Sequence, residues 1–152
     1  MFGKDHHIEH LRQLPLFADL DDATVKQLGR AFQTRYVNAD DVLIRKENAA
    51  KRVFFIVSGA VELQVAGQTW RLGPGEMFGQ MAILMQRPRR AQVRAIAPST
   101  LLMLDEDRFR RLLQRSDALQ HAVRASAEKR GIAPDRLMSD VKEATPPEAK
   151  AG

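Results

Sequence analysis

The chain contains no cysteine among its 152 residues. This absence excludes a disulfide framework and a thiol nucleophile, and it fits a cytosolic protein. Long apolar runs are also missing, since none approaches the roughly 20 consecutive apolar residues that a membrane helix needs. The opening residues, Met1 to His7, lack the apolar core of a secretory signal. We therefore expect a cytoplasmic domain, which would lie on the cytoplasmic side of the inner membrane if it is tethered there.

Basic residues outnumber acidic ones by 24 to 19, which gives a formal net charge of +5. Such a balance is typical of proteins that bind nucleic acid, anionic lipid or a phosphate-bearing ligand. The arginines gather in two groups, at residues 87–94 and at residues 108–115. We interpret the second group as the solvated face of a helix, because acidic residues 105–107 precede it. The first group follows a glycine-bounded turn and is the better candidate for a binding site.

Hydrophobic periodicity divides the chain into helices, then strands, then helices again. Apolar spacing predicts helices over residues 5–13, 22–32 and 105–130, the last with a break at Ser116-Asp117. Short β-branched and aromatic runs between glycine turns predict about seven or eight antiparallel strands. Six of these runs are Val42–Ile44, Val53–Val57, Val61–Val65, Thr69–Leu72, Ala91–Ile96 and Thr100–Leu104. The prediction is an α+β fold: an antiparallel β jelly-roll barrel with N-terminal helices, a short helix between strands and two C-terminal helices.

The same pattern predicts the domain limits. Residues 1–14 form a helical lead-in, and residues 15–131 form the folded domain, including its last helix. Residues 132–152 are rich in proline, alanine, lysine and glutamate, and we expect them to be mostly disordered. A helix-turn-helix module does not fit into that tail, so we expect no DNA-binding domain.

One turn region combines glycine, a short helical stretch and arginines in an order that suits a phosphate. Gly79 lets the backbone approach a ligand closely. Residues 80–85 can form one or two helical turns, whose first N–H groups could bind an anion. Arg89 or Arg90 then offers two parallel donors to the same phosphate, and Gln80 can donate to and accept from a ribose hydroxyl. The pattern indicates a site for a phosphate joined to a sugar.

Four stretches resemble the cyclic-nucleotide-binding domain family, which includes the bacterial catabolite activator protein, the protein kinase A regulatory subunit and cyclic-nucleotide-gated channels. Residues 78–83 (FGQMAI) and 88–95 (PRRAQVRA) are similar to the two parts of the family's phosphate-binding cassette. Residues 54–61 (FFIVSGAV) resemble its central hairpin, and residues 14–17 (LPLF) resemble its entry segment. The ending at residues 127–131 is most similar to regulatory domains of bacterial cation channels or cation/proton antiporters.

The resemblance implies a role for each residue of the cassette. Arg89 matches the arginine that pairs with the cyclic phosphate, and Gln80 stands where a glutamate of the family binds the ribose 2′-hydroxyl. The backbone cradle of the phosphate corresponds to Gly79, Gln80, Met81, Ala82 and Ala91. The implied ligand is cyclic AMP, or else cyclic GMP, with no metal and no resident cofactor.

Two positions depart from the family's pattern. Gln80 replaces the usual glutamate, but it keeps an acceptor and adds a donor, so we expect binding to survive with altered affinity. Arg90 stands where the family has serine or threonine. It could add a second cation at the phosphate, or it could point to solvent and leave the phosphate to Arg89. The absence of threonine favours cyclic AMP over cyclic GMP.

The last predicted helix, residues 117–130, corresponds to the family's helix that swings over the base. Val123 and Ala127 could close over a purine, and Lys129 or Arg130 could stack on it. An equally good interpretation is that Lys129 and Arg130 only favour the C-terminal end of the helix dipole.

An enzyme is a poor fit to this sequence. Enzymes of the cupin type hold a metal in a jelly roll with strand histidines, and this chain has no histidine between residues 11 and 120. His6, His7, Glu9 and His10 have a helical spacing that could hold a metal, but we interpret them as a frayed terminus.

We therefore expect a ligand sensor that regulates an attached or partner protein. The resemblance suggests the transmembrane region of a cation channel or cation/proton antiporter, in the same protein. The alternative is a scaffold of the same fold that binds no nucleotide and acts through protein–protein contacts. A homo-oligomer is compatible with either function.

Overall fold

Short antiparallel strands form the centre of the computed structural model, which describes residues 2–18, 21–44, 51–65, 67–84 and 91–129. The strands in these residues are β1 (Gln33–Val37), β2 (Val42–Ile44), β3 (Arg52–Ser58), β4 (Val61–Val65), β5 (Gln68–Leu72), β6 (Met77–Phe78), β7 (Gln92–Ala95) and β8 (Ser99–Asp105). They make two four-stranded antiparallel sheets, ordered β1-β8-β3-β6 and β2-β7-β4-β5. The predicted α+β fold with an antiparallel β core is confirmed.

Helices flank these strands in the described part of the chain. They are α1 (Phe2–Gln13), a 3-10 turn (Pro15–Phe17), α2 (Asp22–Gly29), α3 (Gln80–Leu84), α4 (Glu106–Arg115) and α5 (Asp117–Lys129). The predicted break at Ser116 is present, and the Ser116 hydroxyl accepts a hydrogen bond from the Leu119 amide at 3.0 Å. None of the described helices has the length and hydropathy to span a membrane.

An aspartate directly precedes and caps each of the helices α2 and α4. The Asp21 carboxylate accepts from the Thr24 amide at 2.8 Å. Hydrogen bonds from the Thr24 side chain and, second, from its amide lower the pKa of Asp21. The Asp105 carboxylate accepts from the Arg108 amide at 2.9 Å in the same way. Each carboxylate satisfies one of the N–H groups that the first helical turn leaves unpaired.

One predicted helix was too long, and one strand was missed. The helix predicted over 22–32 ends at Gly29, and a strand begins at Gln33. The chain turns there because Phe32 is buried against the rings of Phe17 and Phe55, with centroids 5.9 and 5.7 Å away. Strand β6 was not predicted, because two residues are too few to show the alternation that identifies a strand.

The core is divided into two clusters by the sheet that contains β3. One cluster lies between that sheet and the helices, and we call it the helix-side cluster; the other, the inter-sheet cluster, lies between the two sheets. The helix-side cluster contains Leu11, Leu14, Phe17, Val25, Phe32, Val53, Phe55, Val57, Met77, Ile83, Leu84, Leu102, Leu104, Phe109, Leu113, Leu119, Val123 and Ala127. The inter-sheet cluster contains Val37, Ile44, Phe54, Ile56, Val61, Leu63, Leu72, Phe78, Val93, Ala95 and Leu101.

Strand β3 shows why its sequence is an unbroken apolar run. Val53, Phe55 and Val57 face the helix-side cluster, whereas Phe54 and Ile56 face the inter-sheet cluster. Successive side chains of a strand point to opposite faces, so a strand covered on both faces needs apolar residues at every position. Leu102 and Leu104 of β8 belong to the helix-side cluster as well, so the helices pack on both β3 and β8.

Candidate functional site

The turn between β6 and α3 requires glycine at position 79. Gly79 has φ +97°, and a Cβ at this position would collide with the carbonyl oxygen of Arg52 in β3. The neighbouring Phe78 ring stacks on Phe54 with centroids 4.9 Å apart. The close approach that this glycine permits is thus to the protein's own β3 strand, and it places the start of α3 directly against the sheet.

Gln80, the first residue of α3, is fully buried, with 0% of its surface exposed. Its Nε2 donates a hydrogen bond to the Ser126 Oγ of α5 at 3.0 Å. Its Oε1 has no hydrogen-bond partner among the described residues. A buried acceptor without a partner costs roughly 1–3 kcal/mol, so this end of α3 carries an unsatisfied group that a further donor would stabilise.

The other end of α3 is held by α4. Ile83 and Leu84 are fully buried in the helix-side cluster. The Arg110 guanidinium donates through Nη2 to the Ile83 carbonyl oxygen at 2.7 Å. Through Nε and Nη2 it also donates to Glu106 Oε2, each at 3.2 Å. Cation and carboxylate together fix the carbonyl at the end of the short helix.

A third contact joins the end of α5 to the loop before β6. Lys129 Nζ lies 2.8 Å from Glu76 Oε1, and Glu76 Oε2 accepts from the Gly73 amide at 3.0 Å. Both side chains of the ion pair are partly exposed, and such pairs contribute about 0–1 kcal/mol. Three polar contacts therefore connect the segment 76–84 with the two C-terminal helices.

The model of the family described as "Cyclic nucleotide-binding domain" matches residues 34–116, more than half of the chain. The match runs from β1 through α3 to the end of α4, so it includes the turn at Gly79 and the contact between Arg110 and Ile83. The chain belongs to the cyclic nucleotide-binding domain family.

Relatives of this domain include two bacterial channels. The chain is 36% identical over 121 residues to a cyclic nucleotide-gated potassium channel of Mesorhizobium japonicum, which covers 79% of this chain and 34% of the channel. It is 35% identical over 122 residues to a cyclic nucleotide-gated potassium channel of Rhizobium etli, which covers 80% of this chain and 34% of the channel. The chain thus spans about a third of the length of these curated relatives.

Solved structures support the fold of this cyclic nucleotide-binding domain. A cAMP-binding acyltransferase from Mycobacterium smegmatis superposes with a TM-score of 0.71 over 85% of this chain and 43% of that chain, at 23% identity. At that identity the likeness establishes the fold alone.

The two residues predicted to close over the base, Val123 and Ala127, lie in the helix-side cluster and not between the two sheets. Val123 and Ala127 are fully buried in the helix-side cluster, where they continue the apolar stripe of Leu119 along α5. In this arrangement neither side chain has a surface that a purine could contact. Lys129, one of the two residues predicted to be able to stack on the base, pairs with Glu76. A contact from α5 to a base would therefore require the helix to shift.

Some predicted site residues lie outside the part of the chain that the structure describes, and others lie inside it. Arg89, Arg90 and Arg130 lie outside the described residues, as does the predicted tail 132–152. The backbones of Met81 and Ala82 form part of α3. Ala91 is half-buried before β7 and packs against the inter-sheet cluster. Their roles at a phosphate stay predictions.

Ser126 and Arg110 were not among the predicted site residues. Arg110 belongs to the arginine group interpreted as a solvated helix face, yet only 22% of its side chain is exposed. Two signals point to its place: Glu106 stands four residues before it, and it directly follows the buried Phe109. Nothing in the local sequence distinguishes Ser126, because its partner Gln80 lies 46 residues away.

Proposed function

We propose that this domain is a sensor that binds a cyclic nucleotide, cyclic AMP in preference to cyclic GMP, and performs no chemistry on it. The observation that carries the proposal is the buried amide of Gln80, whose Oε1 has no partner among the described residues. A ribose hydroxyl could donate to this oxygen and satisfy it. Membership of the cyclic nucleotide-binding domain family supports the same class of ligand.

Arg89 is the residue that we propose for the cyclic phosphate. The proposal rests on its place in the cassette motif, and a guanidinium can present two parallel donors to phosphate oxygens. Backbone groups of Gly79, Gln80, Met81, Ala82 and Ala91 would complete the cradle. Arg90 either adds a second cation or points to solvent, and these alternatives predict different effects when Arg90 is replaced.

Ligand binding would act on α5 through Gln80. In the described arrangement Gln80 is fully buried and its Nε2 donates to Ser126 of α5. A ribose therefore reaches Oε1 only when α5 moves and this contact opens, so ribose binding and the contact with Ser126 exclude each other. The ligand then shifts the population between two positions of α5, by as much as its affinities for the two positions differ. The base contacts predicted for Val123, Ala127, Lys129 and Arg130 belong to the second position.

The output of the sensor is proposed from the relatives. Two of them carry the name of cyclic nucleotide-gated potassium channels, and this chain spans about a third of their length. We propose that the domain, residues 15–131 with the lead-in 1–14 and the tail 132–152, regulates a membrane cation channel or cation/proton antiporter from its cytoplasmic side. The competing function is a scaffold of the same fold that binds no nucleotide.

Isothermal titration calorimetry with cyclic AMP, cyclic GMP and cyclic dinucleotides tests the proposal. A charge-assisted hydrogen bond contributes roughly 1.5–3 kcal/mol, so we expect Arg89→Ala to weaken cyclic AMP binding about tenfold to a hundredfold or more. Arg90→Ala is measured in parallel, because a loss there too would show two cations at the phosphate. Arg71→Ala, an exposed residue of β5, controls for the loss of one positive charge.

Two results would contradict the proposal. Unchanged cyclic AMP affinity in Arg89→Ala would remove the phosphate assignment. If the wild-type domain binds none of these nucleotides at millimolar concentration, the scaffold function replaces the sensor.

A further inference from the structure

We propose that Arg110 is a positioning residue for the nucleotide phosphate: it fixes the end of α3, whose backbone amides are part of the proposed phosphate cradle. The inference rests on the proposed function. It assigns a role to a residue that the cassette motif does not include and that lies 27 residues from its partner in α3.

Arg110 joins α3 to α4 through hydrogen bonds to both helices. Its Nη2 donates to the Ile83 carbonyl oxygen at 2.7 Å. Glu106, one helical turn earlier in α4, accepts from both Nε and Nη2 at 3.2 Å, which orients the plane of the guanidinium. The side chain is mostly buried, with 22% of its surface exposed. Hydrogen bonds from a charged donor are shorter and stronger than neutral ones, so the 2.7 Å contact fits a firm attachment.

The acceptor of this hydrogen bond, the Ile83 carbonyl oxygen, lies in the last turn of α3. The last carbonyl groups of a helix have no partner within it, and a cation near them is favourable. Helix α3 has only five residues, so its own hydrogen bonds hold it weakly. The buried side chains of Ile83 and Leu84 fix its position from one side, and Arg110 fixes the direction of its last carbonyl groups.

The position in the chain connects this support to the phosphate. The amides of Met81 and Ala82, which we propose for the phosphate cradle, belong to the same short helix as Ile83, so the direction of the helix end sets where these amides point. Arg110 already donates to Ile83 and Glu106, so it acts through the cassette and not on the ligand. Lysine cannot reproduce the arrangement, because a single ammonium lacks the rigid fork of donors.

The test compares Arg110→Ala and Arg110→Lys with Arg111→Ala, an exposed neighbour on α4 that loses the same charge. We expect Arg110→Ala to weaken cyclic AMP binding about tenfold, Arg110→Lys to recover part of the loss, and Arg111→Ala to stay within about twofold. Urea denaturation of each variant separates lost affinity from lost stability.

A double-mutant cycle with Arg89 distinguishes positioning from general destabilisation. If Arg110 acts at the phosphate that Arg89 is proposed to bind, Arg110→Ala weakens binding in the wild-type background but adds little in the Arg89→Ala background. Full additivity of the two losses would overturn the proposal, as would affinity within twofold of the wild type in Arg110→Ala.

Hydrogen exchange without ligand separates this inference from the proposed function. We expect the amides of α3 to exchange faster in Arg110→Ala than in Arg111→Ala. If the wild type binds no cyclic nucleotide, the proposed function fails and the phosphate role of Arg110 fails with it, whatever the exchange shows. If the wild type binds but exchange and affinity are unchanged in Arg110→Ala, only the positioning role fails.

Discussion

The two ends of α3 are attached to the C-terminal helices by contacts of opposite character. At the start, the neutral Gln80 amide donates one hydrogen bond to Ser126 and leaves its oxygen without a partner in the described residues. At the end, the Ile83 carbonyl accepts from a guanidinium that Glu106 also holds. The first contact is between neutral groups and leaves one buried oxygen without a partner, whereas in the second a charged guanidinium donates to both Ile83 and Glu106.

This difference suggests how one short helix could both bind a ligand and transmit its presence. A neutral hydrogen bond contributes about 1 kcal/mol net, so the contact between Gln80 and Ser126 opens at little cost. A partly buried charge that loses its acceptor is more expensive to leave unpaired. Under the proposed function, the start of α3 releases Ser126 and gains a ribose hydroxyl at Oε1, while its end stays fixed. Changes at each end should therefore have distinct effects.

The largest effect is expected from Gly79→Ala, which acts on the turn that sets the start of α3. The new Cβ would collide with the Arg52 carbonyl, and the residue would be held at φ +97°. We expect a loss of unfolding free energy on the order of 3 kcal/mol and loss of nucleotide binding. Urea denaturation and calorimetry measure the two quantities.

Gly67→Ala is the matched control for that variant. Gly67 also has a positive φ, +78°, but a Cβ there would meet no atom within 4 Å. It carries the backbone strain without the collision, so we expect a loss of about 1 kcal/mol and normal binding. Equal losses in the two variants would show that the contact with β3 does not matter.

A smaller effect of opposite sign on binding is expected from Ser126→Ala. The variant removes the hydroxyl that holds Gln80, which costs about 1 kcal/mol, partly offset by about 0.5 kcal/mol from the higher helix propensity of alanine. Because cyclic AMP no longer has to displace Ser126, we expect its affinity to rise about two- to fivefold. Calorimetry and urea denaturation measure both changes.

Ser116→Ala controls for a general loosening of α5. Ser116 caps the helix through the Leu119 amide but does not contact Gln80. If Ser116→Ala raises the affinity as much as Ser126→Ala, the effect comes from a weakened helix and not from Gln80. A lower affinity in Ser126→Ala would show that this serine supports the bound state, and competition at Gln80 would be wrong.

The sequence allowed the strands and the cassette turn to be predicted for local reasons. The unbroken apolar run of β3 and the alternation of β4 are visible in neighbouring residues. Gly79 and Gln80 stand in a motif. Strand β6 was not predicted, because it has only two residues and is defined by its pairing with Phe54 and Phe55.

The contacts that distinguish the two ends of α3 could not be predicted in the same way. Gln80 and Ser126 are 46 residues apart, and Ile83 and Arg110 are 27 apart. These pairs exist because α4 and α5 pack on the helix-side cluster in one register. The apolar stripe of Val123 and Ala127 was visible in the sequence, but the face of the fold that would cover it was not.

The smallest effect is expected at the third contact, between Lys129 and Glu76. The pair is partly exposed, so Lys129→Ala should cost about 0.5 kcal/mol or less at low salt and nothing at high salt. If Lys129 acts only through Glu76, then Glu76→Gln changes cyclic AMP affinity as slightly as Lys129→Ala does, and the double variant changes it no further. If Lys129 stacks on the base after α5 shifts, Lys129→Ala alone weakens binding, and it does so in high salt as well. Calorimetry on the three variants at two salt concentrations therefore decides whether the end of α5 contacts the ligand or only the loop before β6.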